Sequence, residues 1–74
     1  MKCRVKLIWD EEAQVWIATS DDVPGLILES GSYDALVEKV KFAIPELLEL
    51  NNRKSSFYDL LLTSERHEMV AMYG

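Results

Sequence analysis

The feature that most constrains this chain is a hydrophobic period that changes to helical once. Leu36, Val40, Ala43, Ile44, Leu47 and Leu48 recur at spacings of three and four, while Asp34, Glu38, Lys41 and Glu49 lie mostly off that stripe. Elsewhere the apolar residues alternate or form short runs. Within residues 2–10, Cys3, Val5, Leu7 and Trp9 share one face, and Lys2, Arg4, Lys6 and Asp10 share the other with Ile8, the pattern of a half-buried strand. One helix covers one face of a sheet, so such a chain leaves the other face to solvent or to a partner.

The remaining elements follow from their punctuation. The polar or small residues 10–13 separate the first strand from a run at 14–20 rich in Val, Trp, Ile and Thr, which predicts a hairpin. Pro24 presets φ for a turn and Gly25 tolerates positive φ, so the chain reverses there before a third strand at 26–30. Ser32 is placed to cap a helix over 32–51, with Asp34 at its positive end. Pro45 removes a backbone donor and crowds the carbonyl of Lys41, which predicts a kink near 45. Asn51 and Asn52 suit a left-handed helix end, and 53–56 reads as a polar connection. Residues 57–64, with Phe57, Tyr58, Leu60, Leu61 and Leu62, read as a fourth strand. The tail at 65–74 fits either a short extra strand or a frayed end. The expected fold is α+β, a single β-β-β-α-β domain over 1–74 with one helix on a mostly antiparallel four-stranded sheet.

Length and charge narrow the function classes. A chain of 74 residues holds one core and is marginal alone, so the apolar surplus at Trp16, Leu60 and Leu62 predicts a homodimer. The single cysteine, Cys3, excludes an intramolecular disulfide and reads as a small core residue, which suits a reducing compartment. No stretch approaches the length of a membrane span and the amino end is unlike a signal peptide, so a cytoplasmic protein is expected. A net charge of −5 argues against general nucleic-acid binding and favours a basic partner.

A family resemblance runs from Trp9 to Leu48. It is densest at Glu12, Ala13, Gln14, Val15, Trp16, Ile17 and Ala18, and then at Asp21, Asp22, Val23, Pro24, Gly25 and Leu26. An acidic turn, an aromatic strand ending in Ala, an acidic and apolar step into Pro-Gly, and a Ser-opened helix resemble the amino-terminal domain of the HicB antitoxins. The resemblance implies a partial RNase H-like fold and neutralisation of a HicA-type toxin, a small basic RNA-cleaving protein. HicB antitoxins also carry a DNA-binding domain, for which 53–74 offers no room, so the likeness is to a small branch without one.

Candidate chemistry is sparse. Asp10, Glu11, Glu12, Asp21, Asp22 and Glu29 invite comparison with metal-binding nucleases, but most fall in predicted turns, where acids serve solubility and local hydrogen bonds. No catalytic residue, metal or cofactor is expected. His67 has no evident catalytic partner, and Trp9 and Trp16 read as core or subunit contacts rather than base-stacking platforms. The expected partner-binding residues are Asp21, Asp22, Val23, Pro24 and Gly25 in the acidic reversal, and Lys2, Arg4 and Lys6 in the basic row. The leading expectation is a non-catalytic protein-binding domain of HicB type. A stand-alone structural or regulatory homo-oligomer is the alternative, with a metal-dependent nuclease a distant third.

Overall fold

The computed structural model describes residues 1–51 and 57–73. Strands β1 (Lys2–Asp10), β2 (Val15–Thr19) and β3 (Ile27–Ser30) precede helix α1 (Tyr33–Leu50), and strand β4 (Asp59–Glu65) follows it. The sheet order is β3-β2-β1-β4. β1–β2 and β2–β3 pair antiparallel, and β4 lies parallel to β1 with Val5 opposite Leu62. The expected α+β class and element order are therefore those of the molecule. The polar connection expected at 53–56 lies outside the described residues.

Period-two alternation on β1 becomes a division between two environments. Cys3, Val5 and Leu7 are buried with Ala18 of β2, and the α1 stripe of Leu36, Val40, Ile44 and Leu48 closes over them. Val23 and Leu26, from the connection before β3, complete the core, which among the described residues contains no buried polar or charged side chain. Burying each large member stabilises the fold by roughly 1.5–3 kcal/mol relative to exposure. No disulfide contributes, since the one cysteine, Cys3, lies in this core.

Local chemistry sets the turns. Val23 and Leu26 bracket a hydrogen-bonded reversal, with the Leu26 amide donating to the Val23 carbonyl at 3.2 Å. Gly25 occupies its third position at φ 87°, where a side chain would strain the backbone. Ser32 caps α1 as expected, its hydroxyl accepting from the Ala35 amide at 3.2 Å. At the other end Asn51 has φ −96°, so it is not itself left-handed, and its side-chain amide donates to the Leu47 carbonyl at 2.8 Å; Asn52 lies outside the described residues. The Leu47 carbonyl also accepts from the Asn51 backbone amide at 3.1 Å, so the side chain adds a second donor to it.

The helix runs unbroken through Pro45. Proline leaves the Lys41 carbonyl without its usual amide donor. The Tyr58 hydroxyl, arriving from the start of β4, donates to that carbonyl at 3.4 Å. A side chain distant in sequence thus takes the place of the missing backbone donor. The tail pairs with no strand among the described residues. Residues 66–73 leave β4 as an exposed segment outside any helix or strand.

A candidate docking face opposite the helix

The sheet face away from α1 is mixed. Ile8 opposes Ile17 across β1–β2, Thr19 opposes Lys6 and Ile27, and Leu61 lies beside Arg4 on β4. Ile8, Ile27 and Leu61 are exposed, so apolar side chains alternate there with Lys2, Arg4 and Lys6. A shallow groove of about 390 Å³ crosses this face, lined among others by Arg4, Lys6, Thr19, Asp22, Leu61 and Thr63.

Two features that stand apart in the sequence meet at this groove. β2 pairs with β1 only from Lys6 onward, so the Arg4 backbone there lacks a neighbouring strand. Side chains of the acidic reversal fill that place. The Arg4 amide donates to Asp22 Oδ2 at 2.8 Å, and the Ser20 hydroxyl donates to the Arg4 carbonyl at 2.6 Å. Arg4 also grips Asp22 through its guanidinium, with Nε to Oδ2 at 2.9 Å and Nη2 to Oδ1 at 3.0 Å. The Ser20 hydroxyl in turn accepts from the amides of Asp22 and Val23, which fixes the turn. The hydrogen bond to Asp22, followed by its charge, raises the Arg4 pKa above its ordinary value. Arg4 therefore stays cationic wherever the protein is folded.

This geometry divides the eight expected partner-binding residues. Lys2, Arg4 and Lys6 are exposed on the open face, and Asp21, Pro24 and Gly25 are exposed in the reversal. Asp22 is half-buried and engaged with Arg4. Val23 is a correction: it is wholly buried in the core, because its apolar side chain anchors the reversal under α1, and it has no surface to offer a partner. The other acids are dispersed. Asp10 accepts from the Glu12 and Ala13 amides in the β1–β2 turn, and Glu29 lies on β3. Among the described residues no three His, Cys, Asp or Glu side chains converge.

One cluster is not legible from the sequence. Trp9 and Trp16 pack with ring centroids 5.4 Å apart, and Tyr33 meets Trp16 edge-on at 5.0 Å. The Arg66 guanidinium lies 4.2 Å from the Trp9 ring centroid, and Trp9 Nε1 donates to Glu11 at 2.6 Å. The parallel register explains it: Ile8 stands beside Glu65, so the next residues, Trp9 and Arg66, are neighbours. That pairing becomes visible only once β4 is known to run alongside β1.

No helix among the described residues is long and apolar enough to cross a membrane. The chain is similar to a hypothetical protein of the extremely thermophilic bacterium Thermus thermophilus, whose crystal structure matches with a TM-score of 0.73 and 36% identity, covering 97% of this chain and 100% of that one. No curated protein matches the sequence significantly. The model of a domain of unknown function, DUF1902, matches residues 2–73. With nearly its whole length so matched, the chain belongs to the DUF1902 family.

Proposed function

We propose that this chain is a non-catalytic protein-binding domain that presents the sheet face opposite α1 to a small partner protein. The observation that carries the reading is that uncovered face, where exposed Ile8, Ile27 and Leu61 are interleaved with three cations and bordered by the acidic reversal. Apolar side chains that exclude water, within charges that fix register, form the usual anatomy of a protein interface. The resemblance to HicB antitoxins between Trp9 and Leu48 extends this to a finer reading, in which the partner is a small basic toxin of HicA type. The net charge of −5 favours a basic partner at long range, which at the face itself would meet exposed Asp21 of the bordering reversal rather than the cationic row.

The test is co-expression with any short basic protein encoded beside this chain. The expected result is co-purification at equal stoichiometry, abolished by Ile17→Glu and kept by Glu38→Gln on the far side of α1. Failure of the intact chain to hold such a protein, or to relieve its toxicity, removes the antitoxin reading. A stand-alone homo-oligomer is the second reading, and the exposed tail favours it.

A further inference from the structure

We propose that residues 66–73 form an exchanged arm, laid antiparallel along the outer edge of β4 in a second copy of this chain, so that two copies form a two-fold dimer. The inference does not rest on what docks on the open sheet face.

The arm itself is the first argument. Met69, Val70, Met72 and Tyr73 are 91%, 82%, 96% and 94% exposed. Scattered apolar residues are ordinary on a surface, but four within five positions of an exposed segment mark a contact surface. The arm is rooted by Arg66, which stacks on Trp9 and pairs with Glu68 at 3.0 Å, so its direction of departure is set. It contains no Gly, Pro, Asn or Asp on which to reverse. It therefore leads away from its own β4 edge rather than folding back on it.

The edge is the second argument. β4 is an outer strand with β1 on one side only. The Asp59 amide donates to the Met1 carbonyl at 2.7 Å, so by alternation Leu60, Leu62 and Ser64 direct their backbone groups outward. Residues Leu60 to Ser64 carry no charge and no proline, the devices by which natural proteins blunt an edge. The opposite edge, β3, is protected by contrast: it is four residues long, carries Glu29, and has Lys39 Nζ donating to the Glu29 carbonyl at 3.3 Å.

The dimensions agree with a dimer. An 8.5 kDa compact monomer exposes about 4,700 Å² by the usual surface scaling, against 5719 Å² here. The excess of about 1,000 Å² is comparable to the roughly 800 Å² that each partner contributes to a standard interface. The radius of gyration is 14.7 Å, where about 11 Å is expected for 74 compact residues. Eight extended residues reach about 26 Å, and the seven-residue β4 edge spans about 23 Å. A two-fold close to Glu65 lays each arm along the other copy's edge toward exposed Met1 and Phe57, at the end of β4 that the arm cannot reach in its own chain. The contact is then isologous and closed.

Sedimentation of the full chain at roughly 100 µM, where a dimer of micromolar affinity is formed, is expected to give twice the 8.5 kDa chain mass. Val70→Glu with Met72→Glu alters residues outside the core. It is expected to weaken the dimer by about a hundred-fold, giving mostly single chains at roughly 10 µM, where the parent stays mostly dimeric, with an unchanged circular dichroism spectrum. Ile17→Glu, on the open face, is expected to leave the dimer intact, which separates this proposal from the docking reading. In a mixture of isotope-labelled and unlabelled chains, the Val70 and Met72 methyl groups are expected to show intermolecular contacts to Tyr58–Leu62. Single-chain mass for the intact protein overturns the proposal. So do a dimer unaffected by the arm variant and arm contacts confined to β3 or to the open face.

Discussion

The two faces of the sheet are built from alternate residues of the same strands, and they differ in what satisfies them. On the helix side, Cys3, Val5 and Leu7 meet Leu36, Val40 and Ile44, and the core is closed. On the other side, Lys2, Arg4, Lys6 and Ile8 meet solvent. The difference follows from having one amphipathic helix among the described residues for a two-sided sheet: burial on one side supplies the stability, and the other side is left uncovered.

Truncation of single apolar residues is the most direct way to break that comparison. Leu36→Ala or Ile44→Ala is expected to destabilise the fold by about 2–5 kcal/mol, because each leaves a cavity among wholly buried neighbours. Ile8→Ala or Ile27→Ala on the open face should cost less than about 1 kcal/mol. Urea denaturation at fixed chain concentration measures both. Equal losses on the two faces would mean that the open face is sealed in solution.

Within the open face, the Asp22–Arg4 pair sharpens the comparison at the next level. Asp22→Ala removes the acceptor of the Arg4 backbone amide as well as of its guanidinium, and should cost about 1–3 kcal/mol. Arg4→Ala keeps that backbone bond and removes only an exposed, solvent-screened ion pair, a smaller loss. The expected order is therefore the acid before the base. The reverse order would assign the pair to surface electrostatics rather than to closing the gap where β2 leaves β1.

Those pairings also show which features the sequence could reveal. The order of elements along the chain, the helix, the Ser32 cap and the Pro24-Gly25 reversal rest on local chemistry, and all are legible in short windows. The Asp22–Arg4 contact spans 18 residues, and the Arg66–Trp9 stack depends on a parallel register that no local period encodes. Asp22 and Arg4 each read as surface features, but local periodicity gives no sign that they engage one another. Val23 misleads for the opposite reason: flanked by Asp22 and Pro24 it reads as part of an exposed turn, while the tertiary fold points it under α1.

The smallest expected effect concerns the helix that makes the two faces different. Gly25→Ala serves as a reference for local strain. Its added Cβ would lie 3.5 Å from Leu47 Cδ2, an ordinary contact, so the expected loss of about 1–2 kcal/mol comes from φ 87° alone. Tyr58→Phe removes the donor to the Lys41 carbonyl and should cost about 0.5–1.5 kcal/mol. If that hydroxyl replaces the amide lacking at Pro45, the loss should nearly vanish in a Pro45→Ala background, where the backbone amide is restored. An equal cost in both backgrounds would show that Tyr58 acts only by packing. The phenol also makes the bond pH-sensitive. Burial, and then the neighbouring Cys3, raise the Tyr58 pKa above 10.0, with Lys41 opposing. The folded state thus holds this proton more tightly than the unfolded chain. The corresponding stability is fully present below pH 10 and is lost as pH rises through the higher folded value. Comparing the alkaline denaturation of the parent chain with that of Tyr58→Phe isolates this contribution, because phenylalanine has no proton to lose.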